Sequence, residues 1–102
     1  MKLLTLIVHA NTQQELADQL RNLRQVSGFT FCHVEGHGAQ VESDPFLSAR
    51  DKVVGYTPRV RVDILLDDAD VGVVLEALRL AENNVTGHGV YWVTPVEEEG
   101  RL

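Results

Sequence analysis

Two histidines in this chain stand between glycines. Gly36-His37-Gly38 ends an apolar stretch, and Gly87-His88-Gly89 introduces another near the C-terminus. Imidazole changes charge close to neutral pH and is the commonest metal-ligating side chain. Flanking glycines let a backbone take positive φ or approach a ligand closely. His33 and Glu35 precede His37 at alternate positions, so on an extended strand the three share one side and Cys32 faces the other. His37 and His88, with His33 or Glu35 as a further donor, are of the side-chain types that bind a transition metal such as Zn²⁺ or copper, provided the fold brings them together. A second reading gives the glycines to turn geometry and leaves the histidines as polar residues, at most lining a metal-free ligand cleft. Cys32 is the single cysteine, so no intrachain disulfide can form, and its expected role is that of a small buried hydrophobe. His9 reads as a helix-entry or loop residue.

Catalytic groupings do not emerge. Cys32 and His33 are adjacent on a strand and cannot face one another, and there is no Ser/His/Asp order, catalytic carboxylate pair or P-loop. Asp67, Asp68 and Asp70 are explained by capping a helix, with a Mg²⁺ site as the other use of such a group. The chain is not expected to be an enzyme.

The elements that carry the two motifs follow from periodicity. Leu3 to Val8 is apolar on both alternating faces, as in a central strand. Thr12-Gln13-Gln14-Glu15 has the pattern of a capping box, and Leu16, Leu20 and Leu23 form the apolar stripe of a helix that Ser27-Gly28 would end. Phe29 to Glu35 reads as a second strand. About nineteen residues without a periodic pattern follow, 39–57, far longer than the usual connection of about 4–6 residues. Within them Phe46 and Leu47 are apolar at the expected tip, placed either to dock on a partner or to pack back on the body. Val60 to Leu66 alternates cleanly, with Val60, Val62, Ile64 and Leu66 on one face and Arg59, Arg61, Asp63 and Leu65 on the other. Val71, Val74, Leu75 and Leu78 mark a second helix, stopped by Asn83-Asn84 or the glycines beyond, and Val90 to Val93 is a last strand closed by Pro95. Residues 97–102 open with Glu97-Glu98-Glu99 and form an acidic tail.

The order is βαβ, loop, βαβ. Two interleaved crossovers of this kind give an α+β, ferredoxin-like fold: a four-stranded antiparallel sheet with both helices on one face. The 102 residues suit one domain, 1–102. A formal charge of −6, with no basic stripe, argues against nucleic acid as a partner. No run approaches the roughly 20 apolar residues of a membrane span, and Met1 to Val8 is too short for a signal peptide. No direct membrane insertion is expected, and a cytoplasmic location is. The sheet face away from the helices would be bare in a monomer, mixing Arg61 and Asp63 with Leu65, which suits packing against other copies.

Several local patterns occur in the order found in PII-like signalling proteins. Val34-Glu35-Gly36-His37-Gly38, followed by Gln40, resembles that family's Val-x-Gly-x-Gly and glutamine at the end of the second strand. Tyr56-Thr57-Pro58-Arg59-Val60-Arg61-Val62-Asp63-Ile64 resembles its Pro-Lys-Val-Lys-Ile-Glu-Ile entry to the third strand, and Gly87-His88-Gly89 its Gly-Asp-Gly B-loop. The resemblance spans nearly the whole chain. It implies a homotrimer with a small ligand in clefts between subunits, lined by Gly36, His37, Gly38, Gln40, Thr86, Gly87, His88 and Gly89. It makes residues 39–57 a T-loop-like segment that contacts a protein target, with Phe46 and Leu47 as candidate anchors.

The departures bear on the ligand. PII proteins carry a lysine before the B-loop glycines and basic residues after the last strand, used on phosphates. Here those stretches read Asn83-Asn84-Val85-Thr86 and Val96-Glu97-Glu98-Glu99. A triphosphate would meet three carboxylates where it needs cations, so the typical ATP site reads as degraded. A less charged adenine nucleotide, a transition metal or no ligand fits better. This pattern is closer to a divergent PII-like subgroup of unknown function often encoded beside heavy-metal efflux systems. CutA proteins, linked to copper tolerance, share the fold. The resemblance therefore points to a regulatory protein whose target is a membrane transporter or efflux component. The alternative it leaves is a metal-binding protein of a resistance system using His37 and His88.

Overall fold

A computed structural model describes residues 1–37, 57–81 and 89–102. Four strands, β1 (Lys2–His9), β2 (Thr30–Gly36), β3 (Thr57–Leu66) and β4 (Val90–Pro95), form one sheet in the order β2-β3-β1-β4. Every neighbouring pair is antiparallel. Helix α1 (Gln13–Arg21) joins β1 to β2 across β3, and α2 (Val71–Leu80) lies between β3 and β4, which flank β1. This is the ferredoxin-like arrangement that the element order implies.

The alternation of β3 sets the core. Val60, Val62, Ile64 and Leu66 are all at most 1% exposed. They stand opposite Val8, Leu6, Leu4 and Lys2 of β1. Leu16, Ala17 and Leu20 of α1 and Val74 and Leu78 of α2 are buried as well. The leucines of α1 and both of these α2 residues join the strand residues in one apolar cluster. Both helices therefore cover the same sheet face.

Pro58 and Pro95 sit where a strand tolerates a missing N–H. Pro58 lies beyond Arg59, the last β3 residue with a β1 partner, and Pro95 is on the outer strand β4.

Helix boundaries differ from the sequence expectation. Chain entry to α1 begins a turn earlier, with a 3-10 turn at Ala10–Thr12. His9 caps it: its Nδ1 accepts from the Asn11 amide at 3.1 Å. Thr12 makes no cap hydrogen bond; its hydroxyl donates instead to the His9 carbonyl at 2.8 Å. The capping box is thus absent because Thr12 already lies inside the first turn. Helix α1 also ends at Arg21, not at Ser27-Gly28. Beyond it, amides reach back three residues, Leu23 to Leu20 at 3.3 Å and Val26 to Leu23 at 3.1 Å. These tighter turns bring Leu23 and Val26 against the core. At the second helix, Asp67 and Asp70 make no side-chain cap, and Asp68 pairs with the Met1 ammonium at 2.9 Å.

Candidate functional site

The register gathers several strand ends at one edge of the sheet. Gly36 pairs with Thr57, Val34 with Arg59, Arg59 with His9, and Ile7 with Val90. The connections 38–56 and 82–88 therefore depart from the same end of the sheet. Their strands, β2 and β4, are its two outer members. Three inter-strand spacings separate them, about 14 Å at the usual 4.7–4.9 Å each.

His33 and Glu35 alternate on the face of β2 shared with Val60 and Val62, and His37 follows just beyond the strand. His37 Nε2 lies 3.3 Å from Glu35 Oε2, both side chains largely exposed. The imidazole thus has a carboxylate to orient it at the foot of segment 38–56. Among the described residues no group of three His, Cys, Asp or Glu side chains is placed to hold a metal ion. Gly38, Gln40, Phe46, Leu47, Thr86, Gly87 and His88 lie outside the described residues; of the residues expected to line a cleft, Gly36, His37 and Gly89 are the ones described.

Cys32 is exposed, where the sequence suggested a buried hydrophobe. It stands opposite Arg61, on the face without helices, because its neighbour Phe31 takes the core side.

That bare face carries a polar network invisible without the register. The Thr5 hydroxyl donates to Asp63 Oδ1 at 2.8 Å, and Arg61 Nε donates to Asp63 Oδ2 at 3.1 Å. The Arg61 guanidinium lies 5.8 Å from the centre of the Trp92 ring. Alternation alone puts Arg61 and Asp63 on this face, but Thr5 and Trp92 enter only through cross-strand pairing. Leu65, Val90 and Trp92 add exposed apolar surface beside them. One arginine is thereby held between a carboxylate and an aromatic ring, on the sheet face that no helix covers.

Arg59 also escaped sequence reasoning. It is half-buried, and its side chain lies against Gly36.

A family model described as "Protein of unknown function (DUF3240)" matches residues 1–102. A nitrogen regulatory protein P-II of Azospirillum brasilense is 27% identical over 103 residues, covering 100% of this chain and 91% of the relative. Its counterpart in Rhizobium leguminosarum bv. viciae is 31% identical over 78 residues, 76% of this chain and 70% of the relative. A crystal structure of a DUF3240 family protein from Shewanella baltica OS155 superposes with a TM-score of 0.76 at 24% identity. It covers 99% of this chain and 94% of that one. Among the described residues no helix is long and apolar enough to cross a membrane.

Proposed function

The chain belongs to the DUF3240 family, a divergent branch of the PII-like proteins, and from that premise we propose that it is a trimeric regulatory protein. In this reading a small ligand enters clefts between subunits, and segment 39–57 reports its presence to a protein target. The name of its relatives, nitrogen regulatory protein, supports the regulatory class.

One observation carries the reading. The described residues of the two glycine-flanked histidine motifs, Gly36 and His37 after β2 and Gly89 before β4, stand at the same end of the sheet on its opposite outer strands. Those strands lie about 14 Å apart within one sheet, a separation that packing of a second copy would close in the proposed assembly. The bare face, with Leu65, Val90 and Trp92 exposed, supplies the surface for such packing.

The ligand class follows from charge. Glu97, Glu98 and Glu99 stand after β4, so a triphosphate is disfavoured and a less charged adenine nucleotide is preferred. Ligand control then requires different affinity for the two states of the reporting segment. A membrane transporter or efflux component is the target class suggested by the divergent subgroup. Calorimetry against a panel of adenine nucleotides, with sedimentation in parallel, tests both parts. A strict monomer that gives no heat with any nucleotide would refute the proposal.

A second reading rests on the placement of His33, Glu35 and His37 on one side of β2, with His37 beside the Glu35 carboxylate. In it, His33, His37 and His88 bind Zn²⁺ or copper. Stoichiometric uptake lost in H37A and H88A is the expected result, and unchanged affinity in the double variant removes the idea.

A further inference from the structure

Strands β2 and β3 part at the pair Gly36 and Thr57, where segment 38–56 begins and ends. Arg59 stands opposite Val34, two residues along β2 from Gly36. Its side chain leans back toward the start of its own strand. A Cβ at residue 36 would lie 2.7 Å from Arg59 Cγ, 3.0 Å from Nε and 3.3 Å from Cδ.

A contact between one residue and the diagonal neighbour on the same sheet face is within reach of any long side chain. The separation here is what sets it apart, since a Cβ at 2.7 Å would force the Arg59 stem to shift. Gly36 is ordinary extended strand, the last residue of β2, and its φ lies outside the left-handed region. Turn geometry therefore does not require this glycine. Space for a neighbour is the remaining reason, here for a side chain, as other strand glycines admit a ligand or a second backbone. The methylene stem of Arg59 takes that space, and the arginine is half-buried there, as Arg61 and Asp63 are farther along the same face.

We propose that Gly36 is a positioning residue for Arg59, and that the arginine stem clasps β2 to β3 at the point where the strands diverge. The stem replaces the side chain that Gly36 lacks, and it carries the guanidinium over the end of the outermost strand. Whatever segment 38–56 does, its two feet are held together by this contact. Arginine is unbranched at Cβ, so a larger residue 36 would swing it aside instead of unfolding the sheet. The clasp goes beyond the regulatory reading and does not depend on a ligand, a target or the oligomeric state.

A cycle of G36A, R59A and the double variant, read by amide hydrogen exchange across residues 35–37 and 57–60, tests it. In R59A exchange there speeds up by about tenfold, the signature of a local opening that no longer has to break the clasp. R59K keeps Cγ and Cδ and stays close to wild type. G36A speeds exchange while Arg59 is present. In the R59A background it slows exchange, because alanine is a better strand residue than glycine once the space is free. Should G36A fail to fold, refolding of G36A/R59A supports the clasp, and failure of the double variant as well overturns it. Equal effects of G36A in both backgrounds, or wild-type rates in R59A, also overturn it.

Discussion

The Thr5 hydroxyl donates to its cross-strand partner Asp63 at 2.8 Å, tying the two central strands together from the face that no helix covers. Thr5 is fully buried there, and Asp63 also accepts from Arg61. T5V removes one hydrogen bond and should cost about 1 kcal/mol, whereas D63A leaves a hydroxyl and a guanidinium without their acceptor and should cost about 1–3 kcal/mol. Urea denaturation of both single variants and the double measures the coupling. Strictly additive losses would show that Thr5 and Asp63 are not coupled.

The core face of β3 is far more sensitive than its other side. Ile64 is 0% exposed and Leu65 is 39% exposed. I64A is expected to lose about 2–5 kcal/mol, a large part of the 5–15 kcal/mol typical of a domain. L65A should stay within about 0.5 kcal/mol in the isolated subunit. Denaturant midpoints of the two variants, compared at low protein concentration, decide whether neighbouring residues differ this much.

Trp92 and Cys32 are the only tryptophan and cysteine of the chain, and both lie on the bare face. If copies pack there, wild-type Trp92 emits at shorter wavelength and Cys32 reacts more slowly with a maleimide than in L65R, which places a charge in the contact. Identical spectra and labelling rates in both proteins, with both sedimenting as monomers, would leave the face open to solvent.

Among the described residues the carboxyl of Asp68 gives the acid limb a predictable sign. The hydrogen bond from the Met1 ammonium, with the nearby positive charges of Met1 and Lys2, holds it below its ordinary value of 3.8. A carboxylate favoured by folding stabilises the native state above that ordinary value, and the stabilisation disappears as pH falls through the lower, folded value. Thermal midpoints measured down the acid range should therefore fall less steeply in D68N than in wild type. Because Asp68 is exposed the difference is small and shrinks further with added salt. Parallel curves at low ionic strength would assign the acid sensitivity elsewhere.

Local patterns alone determined most of the fold. Alternation from Val60 to Leu66, the stripe Leu16-Leu20 and the stripe Val74-Leu78 each commit a segment to one face, and only a sheet covered on one side by two helices satisfies all three. They also brought His33 and Glu35 to one face of a strand, since the period of an extended chain is fixed by its covalent geometry, while His37 lies just past the strand's end. What they could not determine depends on which strand lies beside which. Thr5 meets Asp63 across a strand pair, 58 positions apart in sequence, and Arg61 meets Trp92 because β3 and β4 both pair with β1, which sets Trp92 opposite Thr5. The true helix ends were hidden for a similar reason, because tight turns after Arg21 are favoured by what Leu23 and Val26 reach in the core. Gly36 shows the division most clearly. In the sequence it is one glycine of a motif, with turn geometry or ligand approach as its reasons. In the folded chain its reason is Arg59, a residue 23 positions later whose stem occupies the space a Cβ would take. Steric exclusion of that kind exists only between residues that folding has brought together.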